Sequence, residues 1–278
     1  MTTPASRAFV AAMLPALRQA AAVARALEGR VVNSPKKREA TPSKAALTVA
    51  DTAAQETLLV TLLERFPFVS LEAEEDTPTV HRFPLNAEAR VVIDPIDGTL
   101  HSYLEGRGPY AIMVGLAVAG RMEAALVALP REGLFFDATH GNGARVARAG
   151  GVPRVVRLPS PEAGARVLVS HELPDAAKEK LRQRGYEVVH AAGGAIAVAP
   201  LVPGVRAGLR IARRHKGISS RGRIGALIAA EAGALVRCES GKEFPLELAA
   251  SARALLVAAR GDDMDALEEA LAAAGIAS

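Results

Sequence analysis

The chain has 278 residues, half of them hydrophobic, a net charge of only +4 and a single cysteine, Cys238. That is enough material for one large domain or two closely packed ones, and it excludes an internal disulfide or a cysteine-based zinc cluster, as suits a protein of the reducing cytoplasm. Aromatic residues make up 4% of the chain, too few to build stacking platforms for bases, which speaks against nucleic acid as a partner.

Phe9, Met13, Leu17, Ala21 and Ala24 recur at helical spacing among Arg7, Arg18 and Arg25, which predicts an amphipathic first helix rather than a signal peptide. The polar, basic segment 32–44 reads as a surface loop. Thr52 with Gln55 three residues on has the form of a capping box, opening a second helix with Leu58, Leu59, Leu62 and Leu63 as its buried stripe and ending before Pro67. From Arg90 onward, short apolar runs at 91–93, 111–118, 124–129 and 133–136 read as strands, the last three as an antiparallel meander. Gly, Arg and Pro between 141 and 159 mark a boundary, giving an N-terminal metal-binding α+β subdomain over 1–148 and a C-terminal α/β subdomain over 149–278. In the second, strands at 166–169 and 186–189 flank a helix at 175–184, and a helix at 224–232 stopped by Gly233 follows. A strand at 255–258 precedes a last helix capped by Asp262 and carrying Met264, Leu267 and Leu271. The longest run without charged or strongly polar residues, 191–205, is shorter than the ~20 residues of a membrane helix and contains Pro200 and Pro203, so no membrane association is expected.

The segment Val91-Val92-Ile93-Asp94-Pro95-Ile96-Asp97-Gly98-Thr99 drives an apolar strand straight into two carboxylates. Acids at the end of a buried strand are costly unless something neutralises them. Pro95 fixes the turn so that Asp94 and Asp97 converge, and Gly98 permits close backbone approach. Hard oxygen ligands beside the start of a helix suit Mg²⁺ next to a phosphate. Taken alone, D-x-x-D-G is also compatible with a strand followed by an Asp-capped turn.

Leu47-Thr48-Val49-Ala50-Asp51, then Glu74-Glu75, then Asp94-Pro95-Ile96-Asp97-Gly98-Thr99 together resemble the inositol monophosphatase family, which includes bisphosphate nucleotidases and, more distantly, fructose bisphosphatases. Residues 139–144, Glu231-Ala232-Gly233 and Glu239-Ser240-Gly241-Lys242 extend the resemblance over nearly the whole chain. It implies an α/β fold of alternating α/β/α/β/α layers, a homodimer, and Mg²⁺-dependent hydrolysis of a small phosphorylated metabolite. By the same resemblance, Glu74, Asp94 and the Ile96 carbonyl hold one metal, while Asp94 and Asp97 contribute to a second. Asp51, Thr99 and Glu74 are the catalytic residues, Asp51 and Thr99 orienting the attacking water, and the Gly98 and Thr99 amides receive a phosphate oxygen. His101 reads as a local hydrogen-bonding residue with a possible catalytic contribution.

One position departs from the family pattern. A W-D pair there precedes the E-A-G helix end, and its aspartate completes the second metal site. Here that position is Arg221, preceded by Ser220. From 188 to 230 there is no Asp or Glu, while Arg206, Arg210, Arg213, Arg214, Lys216, Arg221 and Arg223 crowd the interval. A guanidinium repels a cation that would share its place. Three readings follow: a working phosphatase in which an arginine contacts the phosphate, an enzyme for a more anionic substrate such as a nucleotide or sugar bisphosphate, or an impaired family member that binds an anionic metabolite or nucleic acid. Arg221, Lys216 and Arg223 are the candidate anion-binding residues. A solvated basic helix face is the alternative for the run itself.

Overall fold

The computed structural model describes residues 4–36, 39, 41–158, 164–212 and 217–276. Arg213, Arg214 and Lys216 lie outside the described residues, as do Lys37 and Arg38 of the basic loop. The first part of the chain runs α1 (Ser6–Leu27), α2 (Pro42–Ala45), α3 (Val49–Arg65), β1 (Ser70–Glu72), β2 (Ala89–Asp97), a short π-helix (Thr99–Leu104), β3 (Ala111–Val118), β4 (Arg121–Leu129), β5 (Leu134–Thr139), β6 (Ala144–Arg148) and β7 (Arg154–Val155). These seven strands form one sheet in sequence order, antiparallel except where β1 pairs with β2. The second part runs β8 (Arg166–Val169), α4 (Asp175–Gln183), β9 (Glu187–His190), α5 (Gly193–Ala197), β10 (Val205–Ile211), α6 (Gly222–Glu231), β11 (Leu235–Arg237), β12 (Ala254–Ala258) and α7 (Gly261–Ala273). Its sheet has the order β11-β12-β10-β8-β9.

Helices α1 and α3 cover the outer face of the first sheet, α5 and α6 fill the space between the two sheets, and α4 and α7 cover the far face of the second. The architecture is α/β/α/β/α, as the resemblance implies. Phe9, Met13, Leu17, Ala21 and Ala24 of α1 are all buried in the first core. That helix is long and apolar enough to cross a membrane by composition, but here its apolar face is core packing.

Strand periodicity decides which side chains reach the middle layer. In β3, Ile112, Val114 and Leu116 enter the α1/α3 core while Ala111 and Met113 enter the core shared with α5 and α6. In β2, Val91 and Ile93 face the first core and Val92 the second. Asp94, two residues after Val92, therefore points into the middle layer, toward the N-terminus of α6.

The second helix opens earlier than expected. Its N-cap is Thr48, which forms a capping box with Asp51, while Thr52 lies one turn inside. Gln55 instead spans to the acidic segment: its Nε2 donates to the Glu75 carbonyl at 2.7 Å and its Oε1 accepts from the Glu75 amide at 3.0 Å. The basic loop contains the short helix α2, capped by Thr41. Asp262 lies in the first turn of α7, whose N-cap is Arg260 and carries no side-chain cap. The strand containing the acids extends through Asp97, with a register shift between Asp94 and Asp97. Strand β10 and helix α5, which the sequence reading did not mark, supply the second sheet's central strand and one wall of the site.

Candidate active site

A cavity of about 450 Å³ opens where the two sheets meet. Glu74, Asp94, Ile96, Asp97, Gly98 and Thr99 line it, as do Arg210 of β10, Ser219 and Arg221 ahead of α6, and Ser43, His101 and His171. The turn after β2 requires glycine at Gly98, whose φ is +91° and where an added Cβ would stand 2.7 Å from the Ala192 Cβ.

Asp51 and Thr99 are buried and joined. Thr99 Oγ1 lies 2.9 Å from Asp51 Oδ1 and 2.9 Å from the Ile96 carbonyl oxygen. The other Asp51 oxygen accepts from the Thr48 amide and hydroxyl, both at 2.7 Å. Burial raises the Asp51 pKa, and the bonds from Thr48 and Thr99 oppose that rise. Asp97 accepts from the Gly194 amide at 2.5 Å and so holds the start of α5 against the end of β2.

The decisive feature is Arg221. Its Nη1 lies 2.7 Å from Glu74 Oε2 and 2.9 Å from Asp94 Oδ2. Ser220, the preceding residue, donates to Glu72, so the segment ahead of α6 is fastened to β1 and the following turn at two points. Burial lifts the Asp94 pKa well above its ordinary value, with Glu74 and Asp97 adding to the rise and Arg221 opposing it. Burial also pushes Glu74 upward, but Arg221, the neighbouring Asp94 and Lys36 outweigh it and leave Glu74 below its ordinary value. Burial disfavours the Arg221 cation, yet the two acids more than offset this and its pKa is raised. One guanidinium thus faces a carboxylate pair in which ionisation is favoured at Glu74 and disfavoured at Asp94.

This arrangement does not fit a divalent ion between Glu74 and Asp94, because a cationic nitrogen already stands there at contact distance from both. Among the described residues, no group of three or more His, Cys, Asp or Glu side chains is disposed to hold a metal. Asp94 Oδ1 is buried without a hydrogen-bond partner, but a cation placed on it would stand close to the Arg221 guanidinium that already holds Oδ2.

A model of the inositol monophosphatase family matches residues 7–207, most of the chain. The chain belongs to the inositol monophosphatase family. The match ends before Arg221, in the interval where the sequence departs from the family pattern. The Nus factor SuhB of Salmonella typhimurium is 29% identical over 100 residues, 36% of this chain and 36% of that protein. Among solved structures, an IMPase of Thermotoga maritima superposes with a TM-score of 0.73 at 20% identity, covering 94% of this chain and 97% of its own. SuhB of Mycobacterium tuberculosis gives 0.66 at 22% identity, with 99% and 100% covered. These likenesses support the layered fold.

Two further motifs of the family meet in space. Glu231, at the end of α6, accepts from the Gly141 and Gly143 amides, both at 2.7 Å, tying the glycine-rich turn to the helix end. The described arginines of the basic run do not form a solvated face. Arg206 pairs with buried Asp263 at 2.7 Å and Arg210 lines the cavity. Arg223, read from sequence as a candidate anion-binding residue, is fully buried, and its guanidinium donates to the carbonyls of Ile218, Ser219, Glu247 and Ala250. It is a staple of the fold, because its hydrogen-bonding capacity goes to main chain rather than to the cavity. Ser43, His171 and Ser219 carry no sign in the sequence: Ser43 sits in the four-residue helix α2 and the other two in irregular segments, all too short for a periodicity to single them out.

Proposed function

We propose that the cavity receives a small phosphate monoester and that the chain hydrolyses it, with Arg221 as the resident cation beside Glu74 and Asp94. The family generally uses divalent metal ions, usually Mg²⁺. The observation that carries this reading is the Arg221 bridge at 2.7 and 2.9 Å, which puts a fixed positive charge where family membership leads one to look for a metal. A guanidinium has five donors in a planar fork, so Nη1 can serve the acids while the remaining N–H groups meet a phosphate oxygen at the cavity wall. Gly98 and Thr99 also line the cavity and are the proposed phosphate contacts.

Thr99 gives its only hydroxyl proton to Asp51 or to the Ile96 carbonyl, so toward a third group it acts as an acceptor. It is suited to hold a water by one hydrogen, with Asp51 behind it as the group that receives a proton. A phosphomonoester panel assayed with excess chelator and with Mg²⁺ tests the proposal. Hydrolysis should persist in chelator and fall in Thr99→Val and Arg221→Ala. Turnover only with added Mg²⁺ would overturn the part given to Arg221. The engagement of both acids by Arg221 also favours a second reading, retention of an anionic metabolite without turnover. Phosphate binding by calorimetry with no hydrolysis of any ester would select it.

A further inference from the structure

The wall of the same cavity also carries part of a hydrogen-bonded array that the family motifs do not include. His101 Nε2 is 3.1 Å from Ser43 Oγ, and His101 Nδ1 is 3.0 Å from Glu105 Oε2. His101 and Glu105 lie one turn apart, at the π-helix and its C-cap, while Ser43 comes from α2, 58 residues earlier. Both Ser43 and His101 line the cavity. A histidine oriented by a carboxylate on one nitrogen and presenting the other to a hydroxyl at a ligand pocket has the geometry of an acid–base group.

We infer that His101 is the general acid of the site, delivering a proton through Ser43 Oγ to the oxygen that leaves phosphorus. The inference rests on the phosphomonoester reading above. In such a hydrolysis the bond from phosphorus to the ester oxygen breaks as one forms to the water oxygen, and the departing alkoxide needs a counter-charge or a proton. Imidazolium supplies the proton: Nε2–H donates to Ser43 Oγ, Ser43 Oγ–H donates to the leaving oxygen, and the alcohol departs neutral. Nδ1–H stays on Glu105. The attacking water gives its proton to Asp51, and exchange with solvent after the step deprotonates Asp51 and restores the imidazolium, so atoms and charge balance without an added reagent.

The surroundings favour this assignment. Glu105 is kept below its ordinary pKa, first by its bond to His101 and also by Arg107 and His171, which favours the anion that faces Nδ1–H. Arg107 Nε shares Glu105 Oε2 at 3.3 Å. His171 stacks on His101 at 4.6 Å between ring centroids and on His190 at 5.0 Å. Burial, with His101 and His190, brings the His171 pKa down to about 4, and Glu172 opposes the fall. His171 is therefore a neutral partner that adds no repulsion to a charged His101. Lys44 stands beside Ser43 on the cavity wall.

The test compares two esters of unequal leaving ability. In His101→Asn, hydrolysis of an alkyl phosphate should fall ~100-fold or more, because an alkoxide cannot leave unprotonated, while p-nitrophenyl phosphate, whose phenolate leaves unaided, should fall less than ~10-fold. Ser43→Ala should give the same pattern in weaker form, and the limb of the wild-type pH profile that falls toward high pH should be absent from His101→Asn. Equal losses on both esters, or an unchanged limb, would overturn the assignment. A readout free of turnover separates it from the phosphate reading. On titration of inorganic phosphate into protein labelled with ¹⁵N-histidine, the His101 ring nitrogens should move toward their protonated shifts. Phosphate that binds without moving them refutes the general acid alone; phosphate that does not bind at all refutes the site reading and this inference with it.

Discussion

Glu74→Gln and Asp94→Asn each remove one carboxyl from the same guanidinium, yet the two changes should not cost the same. Glu74 is held below its ordinary pKa and Asp94 well above it, so of the two acids Glu74 is the one favoured to carry the pairing charge. Opposite charges ~4 Å apart attract by about 4 kcal/mol at an effective dielectric near 20. The Glu74 side chain is 24% exposed, and solvent screening with the regained hydration of the free groups leaves a net loss of about 2–3 kcal/mol for Glu74→Gln. Asp94→Asn removes the carboxyl whose ionised form burial disfavours and should cost less, about 1 kcal/mol. At ~2–4 °C per kcal/mol for a chain of this size, that is a fall in Tm of about 4–12 °C against less than ~4 °C. Thermal unfolding at pH 7 in chelator measures both. The pH dependence has a definite sign. Between the unfolded pKa of Asp94 and its raised folded value, only the folded state keeps the proton, so this group's contribution falls as pH rises through that window. Glu74 acts oppositely: its contribution is present above its unfolded pKa and is lost as pH falls through the lower folded value. Asp94→Asn should remove the first slope and leave the second. Equal Tm losses, or the larger loss in Asp94→Asn, would refute the division of charge.

Arg223→Ala should lower stability by about 3 kcal/mol or more, since it strands the carbonyls of Ile218, Ser219, Glu247 and Ala250 in the interior; denaturant unfolding checks it, and a loss under about 1 kcal/mol would contradict the staple. Asp51→Asn keeps the shape but turns an acceptor of three hydrogen bonds into a mixed donor and acceptor, so about 1–3 kcal/mol of stability should go along with turnover. Full turnover in that variant would remove Asp51 from the site.

Much of the fold was legible in the sequence because apolar period follows secondary structure directly. The stripe of α1, the meander β3 to β5 and the alternation from β8 to β9 emerge at nearly the expected residues. The Thr48 cap was obscured by a second capping pattern one turn on; the Thr48–Asp51 hydrogen bonds decide for the first, while the Thr52 hydroxyl donates back to the Val49 carbonyl. The Asp94 to Thr99 motif marks the place of the site, since a strand ending in acids has few other physical uses. What the sequence left open is who neutralises those acids. Arg221 lies 127 residues beyond Asp94, and local pattern carries no sign of which way its side chain turns. Ser43 and His101 meet by the docking of α2 on the π-helix, a tertiary event with no signature in spacing.

The most direct test of the account is a calorimetric Mn²⁺ titration of the wild-type protein beside Arg221→Asp, with Glu74→Gln as control. Because Arg221 fills the space between Glu74 and Asp94, wild type should show no Mn²⁺ binding that depends on Glu74 at millimolar metal, whereas Arg221→Asp, which exchanges the cation for a hard oxygen ligand, should gain at least one ion. Mn²⁺ bound by wild type and lost in Glu74→Gln would mean that Arg221 yields its place to a metal, and would contradict the account.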